Sequence, residues 1–254
     1  MMARPRVGVQ LIVFGERAGK DLRGTLQAVA AAGYDGFEGG VPGGREEVEK
    51  TKAALDGLGI VCAGCHSGFS DWDKPQVVKE RIAGTKAIGS SFLITSGRWD
   101  WKTIDEYVEA AKALSQAGRQ CREEGVTLCY HNHHWEFRKI EGQTPLHVMI
   151  AGTDPEAVKL CPDVYWVHVG GEAPAEFISC YRDRIPYYHF KDGLGGEQFA
   201  EFRELGQGKV DLPAALKAAL ATNPEWITVE QDKSALDPAE SVRVSRQYLK
   251  SIGL

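Results

Sequence analysis

Apolar residues recur along this chain in short blocks of two kinds, and the two kinds alternate. Residues 6–12 crowd Val7, Val9, Leu11 and Ile12 together as a strand does, whereas residues 21–32 spread Leu22, Leu26, Val29 and Ala30 at helical spacing. Gly33 follows, where glycine commonly closes a helix. The alternation then predicts a strand over 34–38, a helix over 45–58 stopped by Gly59, and a third strand over 60–65 with His66 at its exit. A helix over 75–88 tolerates Pro75 in its first turn. Next come a strand over 91–95, the longest helix over 103–124, and a fifth strand over 126–130. Further strands are predicted over 158–161, 185–190 and 226–230, with helices over 145–151, 175–181, 212–221 and 238–251.

Eight strand–helix units in 254 residues predict an α/β fold of the TIM (β/α)8 barrel type, a single domain over 1–254, rather than an open doubly wound sheet. No G-x-G-x-x-G follows the first strand, which argues against a dinucleotide site. A barrel of this kind gathers its chemistry at the carboxyl ends of the strands. Polar residues stand at those ends here: Glu38, His66, the run Tyr130-His-Asn-His-His-Trp-Glu-Phe137, Asp163, His189-Phe-Lys-Asp192 and Glu230. Carboxylates converging from neighbouring strands repel or raise their own pKa values unless a cation neutralises them. Oxygen ligands with one nitrogen suit Mn²⁺, Mg²⁺, Co²⁺ or Zn²⁺.

Composition narrows the partner. A hydrophobic fraction of 43% is that of a globular protein, and a net charge of −5 offers no basic field for nucleic acid or anionic membrane, which leaves a small molecule. No apolar run reaches membrane-spanning length and no signal-peptide pattern opens the chain, so the expected compartment is the cytoplasm. Six scattered cysteines fit reduced thiols. The Cys62-x-x-Cys65 pair reads as filler whose members face opposite sides of a regular strand. Phe14, Trp72, Trp99, Trp135 and Trp166 fall near strand exits, where aromatic rings either stack on a sugar or pack the loops.

These pieces, with Asp163-Val-Tyr-Trp-Val-His168, Leu205-Gly-Gln-Gly208, Val210-Asp-Leu212 and Val229-Glu230, resemble the xylose-isomerase-like sugar phosphate isomerase/epimerase superfamily. The superfamily includes inosose dehydratases, hydroxypyruvate isomerases and ketose 3-epimerases. The resemblance implies one divalent ion held by Glu136, Asp163, His189 and Glu230, with His131 or His133 as the substitute if Glu136 is not a ligand. It also implies a carbohydrate substrate, with His168 at a position that contacts substrate hydroxyls; Glu38, His66, His131 and His133, at or just past strand exits, are the further expected substrate contacts.

Glu136, Glu230 and Lys191 are the expected catalytic groups. The implied reaction is isomerisation or epimerisation through a metal-stabilised enediolate, with dehydration or 3-keto-glycoside lysis as the alternative use of the same proton abstraction. A metal-dependent endonuclease-type phosphodiesterase on the same barrel would want a basic DNA-facing surface, and a sugar-binding barrel without catalysis would show affinity without turnover. A homo-oligomer is compatible with all of these readings.

Overall fold

A computed structural model of the chain describes residues 4–196 and 198–254. Eight parallel strands form the barrel: β1 (Arg6–Gln10), β2 (Gly36–Gly40), β3 (Val61–Ser67), β4 (Phe92–Ser96), β5 (Thr127–His131), β6 (Val158–Cys161), β7 (Tyr187–Phe190) and, after a hairpin, β10 (Trp226–Val229). The hydrogen-bonded order is β6-β5-β4-β3-β2-β1-β10-β7. A parallel bridge between Asp163 and His189, carried by the His189 N–H to the Pro162 carbonyl at 3.0 Å, joins the two ends of that order. This last seam therefore lies at the exits of β6 and β7 and ties two polar residues together.

The helices on the outside are α1 (Glu16–Lys20), α2 (Leu22–Ala32), α3 (Arg45–Leu55), α4 (Pro75–Ala87), α5 (Ile104–Glu123), α6 (Pro145–Gly152), α7 (Val164–Val169), α8 (Pro174–Cys180), α9 (Leu212–Leu220) and α10 (Pro238–Ser251). The strand interiors are small and the helix-facing layer is large. Ala63, Phe92, Ile94, Cys129, Cys161, Tyr187 and Trp226 fill the barrel, while Val7, Val9, Leu26, Leu93, Leu114 and their neighbours form the sheet-to-helix core. Such filling makes the barrel a packed core, so a ligand has access only at its mouth. Gly64 belongs to that packing: a Cβ there would lie 2.5 Å from Ile94 and 3.0 Å from the Tyr187 hydroxyl.

The eightfold alternation read from the sequence is the one observed, with differences at loops and ends. Strand one stops at Gln10, whose side chain accepts from the Ile12 N–H and turns Leu11–Phe14 into a 3-10 helix. Residues after Asp163, to which the sequence reading gave no element, form α7, because the Asp163 Oδ1 accepts from the N–H groups of Tyr165 and Trp166 at 2.8 and 3.0 Å and so caps a helix. Cys62 and Cys65 both belong to the outer core layer, whereas Ala63 points inside. A register shift in the pairing of β3 with β2 inverts the alternation between them.

A further difference is a hairpin, β8 (Asp192–Gly195) and β9 (Gln198–Arg203), inserted after β7. Its anchor is Asp192, whose carboxylate accepts from the N–H groups of Gly193, Gly206, Gly208 and Val210 at 2.9, 3.0, 2.9 and 3.2 Å. The Leu205-Gly-Gln-Gly208 motif is thus a cradle for a buried carboxylate. A Cβ on Gly208 would fall 2.0 Å from Asp192 Oδ1 and 2.4 Å from the Gly193 nitrogen. Gly208→Ala is expected to cost about 2–3 kcal/mol by forcing this bonded group apart, read as a lowered urea midpoint. An unfolding curve superimposable on the parent's would show that the cradle does not need the close approach.

Candidate active site

Four strands deliver side chains to one buried cluster. His131 ends β5, Asp163 follows β6, His189 lies in β7 and Glu230 follows β10. One ligand-capable atom from each of these four lies within 4.8 Å of the others, and all four residues are buried. Three features fit a cation. Nδ1 of His131 and Oδ2 of Asp163 are buried with no hydrogen-bond partner, and Nδ1 of His189 stands 2.5 Å from Oε2 of Glu230. Unmade polar bonds in a sealed interior are costly, and a divalent ion is the species that would satisfy two nitrogens and two carboxylates together.

The orientation of His189 is set from behind. Its Nε2 meets Glu38 Oε2 at 2.7 Å, and the other Glu38 oxygen meets His66 Nδ1 at 3.1 Å. Burial pulls the His189 imidazole down, but Cys161, Glu38 and Glu230 outweigh it and hold it well above the usual histidine range, so a metal at the cluster would displace the Nδ1 proton while Nε2–H stays on Glu38, as where a carboxylate orients a ligating imidazole. Burial pushes the Glu38 carboxyl up, but His189 and His66 outweigh it and hold the group down to about 2. Glu38 is fully buried, with both oxygens engaged by these histidines. The sequence reading set Glu38 among the substrate contacts; in the structure it stands behind His189, with both oxygens taken up by the two imidazoles.

Glu38→Gln is expected to weaken divalent-ion affinity about 10- to 100-fold while leaving all four cluster residues intact, measured by calorimetric titration with Mn²⁺. The same substitution has a pH signature in the ion-free protein. A carboxyl depressed from 4.5 to about 2 stabilises the fold above pH 4.5, and that contribution is lost as pH falls toward 2. The Gln variant should lack this acid-dependent loss.

Glu136 is not brought into the cluster of four. It sits in a 3-10 turn, His134–Phe137, where its oxygens accept from the Tyr130 hydroxyl and, at 2.9 Å, from the His133 N–H. Burial pushes this carboxyl up to about 8, against the pull of those donors. The turn directs the side chain back against β5, and His131 takes the strand-five place in the cluster. Asn132 assists from the same stretch, its Oδ1 accepting from the Asp163 N–H at 3.1 Å. His133 stacks on Trp135 with centroids 4.0 Å apart and lies 4.7 Å from His131. Burial holds His133 down to about 3 and His131 well below the usual histidine range, so both imidazoles are neutral.

Lys191 is the cation of the site. It is fully buried, 3.2 Å from Glu230 Oε1 and paired with Asp232, and its Nζ stands 4.5 and 4.6 Å from the ring centroids of Trp166 and Phe202. Burial lowers its affinity for a proton, but Glu230, Asp163 and Asp232 outweigh that and hold the ammonium charged. Burial likewise raises Glu230, while Lys191 and His189 bring it well below the ordinary carboxylate range. Asp163 goes the other way, up to about 7, because burial outweighs Lys191. His66 is half-buried 5.6 Å from the His131 ring, and His168 sits on α7 beside Gly195 of the hairpin.

Sequence reasoning missed Asp232, although its spacing of two from Glu230 on an extended exit was a usable signal. It also missed the Phe202 lid over Lys191, which depends on an unpredicted hairpin. Of the aromatic residues near strand exits, Phe14, Trp72 and Trp166 are buried and Trp99 is 72% exposed.

A parallel eight-stranded barrel with a buried, metal-competent cluster at the exits of its strands defines the class. Within it, the chain belongs to the xylose isomerase-like TIM barrel family, whose pattern matches residues 26–252. An inosose dehydratase from Lacticaseibacillus casei is 28% identical over 165 residues, covering 58% of this chain and 55% of the relative, so the match spans about half the relative's length. A sugar phosphate isomerase/epimerase from Parabacteroides distasonis superposes with a TM-score of 0.82 at 22% identity, over 98% of this chain and 95% of the other. The 3-keto-D-glucoside 4-epimerase of E. coli gives 0.76 at 17% identity, over 98% of this chain and 100% of the other. These two likenesses concern the fold. Among the described residues, no helix is long and apolar enough to cross a membrane.

Proposed function

We propose that this chain is a divalent-metal-dependent enzyme that removes a proton from the carbon beside the carbonyl of a polyhydroxy ketone. The observation that carries the reading is the cluster of His131, Asp163, His189 and Glu230, with buried polar atoms left unbonded among them. Mn²⁺, Mg²⁺, Co²⁺ or Zn²⁺ held there would supply Lewis acidity to a ketone and its neighbouring hydroxyl.

The chain's own groups divide the remaining work. Glu230 is ionised beside Lys191 and is the proposed base for the α-proton. The Lys191 ammonium, shielded from water by Trp166 and Phe202, supplies a fixed positive charge next to the oxygens on which negative charge develops. His66 gives one nitrogen to Glu38 and keeps the other for a substrate hydroxyl. His133 and His168 complete the proposed substrate contacts.

Returning the proton makes an isomerase or epimerase, and losing a β-hydroxyl makes a dehydratase. The second outcome is favoured by one observation: Glu136, the carboxylate that would serve the opposite face of the substrate, is bonded to Tyr130 and His133 outside the cluster. The inosose dehydratases among the relatives accord with it. Incubation of Mn²⁺-loaded protein with inososes, ketoses and 3-keto-glycosides in D₂O tests the reading. Deuterium at the α-carbon, or release of water with a new enol absorption, supports it. Absence of both across the three classes in protein with full metal occupancy contradicts it.

A further inference from the structure

The cluster has a floor with chemistry of its own. Cys161 is the last residue of β6, two positions before Asp163, and its side chain belongs to the layer inside the barrel. Its Sγ and one nitrogen each from His131 and His189 all lie within 4.8 Å of one another, and all three residues are buried. The two histidines are therefore shared between a group of four that includes both carboxylates and a group of three that includes a thiol. Cys161 does not belong to the group of four, so the two groups define different centres.

We propose that the barrel holds two overlapping, mutually exclusive ion positions: the carboxylate-rich one above, and a thiol-containing one below, formed by His131, Cys161 and His189, that takes thiophilic ions such as Zn²⁺ or Cd²⁺. The proposal rests on the same histidines as the metal-dependent reading above. Bonds of about 2.0–2.1 Å to nitrogen and 2.3 Å to sulfur set the three donors about 3.3–3.8 Å apart, so atoms within 4.8 Å of one another close on one ion by shifts of up to about an ångström. Thiolate selects soft cations and carboxylate oxygen selects hard ones, so the two positions sort ions by type.

Binding below replaces the S–H bond of Cys161 by a sulfur–metal bond, and the thiol proton leaves to solvent. Cys161 shares the inner layer with Phe92, Ile94 and the Tyr187 ring, whose hydroxyl oxygen already accepts from Thr228 at 2.9 Å, so the layer offers the ion no carboxylate further in. The lower position is thus a dead end. An ion there draws His131 and His189 away from Asp163 and Glu230.

The test uses full-length protein stripped of metal, with the exposed Cys180 changed to serine so that no surface thiol reports. Titration with Cd²⁺ should raise a sulfur-to-metal charge-transfer band in the ultraviolet that saturates at one ion per chain. Mn²⁺ should bind once without the band, and each ion should displace the other. Cys161→Ser should abolish the band while keeping Mn²⁺ binding. Should that variant fail to fold, X-ray absorption at the cadmium edge of protein retaining Cys161 decides alone, through one sulfur beside nitrogen in the first shell.

A first shell of nitrogen and oxygen only, a band that survives Cys161→Ser, or both ions bound at once would overturn the proposal. If Mn²⁺ binds normally in those cases, the proposed function stands without it. Failure of Mn²⁺ to bind, with sulfur found on Cd²⁺, would instead remove the upper site and keep the lower.

Discussion

Glu230→Gln is expected to lower turnover about 10²- to 10⁴-fold in protein whose divalent site is confirmed to be full, the range for removal of a general base. The geometry makes this the residue to test. Its carboxylate lies 2.5 Å from the His189 ring and 3.2 Å from the Lys191 ammonium, and its backbone N–H is tied to the Phe190 carbonyl at 2.9 Å. Glutamine keeps the shape and loses the negative charge. Glu136→Gln is the matched control, since that side chain bonds Tyr130 and the His133 N–H outside the cluster. Its effect should fall on stability, about 1–3 kcal/mol for a disturbed buried hydrogen bond, more than on the chemical step. If Glu136→Gln abolished turnover and Glu230→Gln did not, the assignment of the base would be reversed.

Lys191→Met is expected to damage both turnover and folding. The ammonium is buried between Glu230 and Asp232 and under two aromatic rings, so its removal strands two carboxylates. Breaking a buried ion pair by removing one partner costs about 3–5 kcal/mol, and loss of a fixed charge at a developing oxyanion costs about 10²- to 10³-fold in rate. Denaturant melts and single-turnover rates separate the two effects. A double variant, Lys191→Met with Asp232→Asn, should recover part of the stability and none of the rate. Recovery of rate in the double variant would mean that Lys191 acts only to keep the acids apart.

The hydrophobic alternation exposed the eight barrel strands because each buried strand and each amphipathic helix is a local pattern. It also placed Asp163, His189, Glu230 and Lys191 at one mouth, since barrel geometry turns strand exits into neighbours. What it could not supply were decisions made by single hydrogen bonds. Glu136 is diverted by a 3-10 turn and the Tyr130 hydroxyl, and His131 enters in its place. Asp163 is held by capping α7 with one oxygen, which leaves the other for the cluster. Glu38 looks like any strand-end acid until β1, β2 and β10 bring it beside His189, 151 residues away. The hairpin over Lys191 was hidden because its strands are short and rich in glycine and charge, and its fold depends on Asp192 bonding four backbone N–H groups.

The most direct test of this account is anomalous diffraction from a crystal of the protein soaked in Mn²⁺, collected near the manganese edge. The account predicts one strong peak at coordination distance from His131, Asp163, His189 and Glu230, with His189 Nε2 still on Glu38 and Glu136 still on Tyr130. A peak bound by Glu136 with His131 turned away, or no peak in a well-ordered cluster, would contradict it.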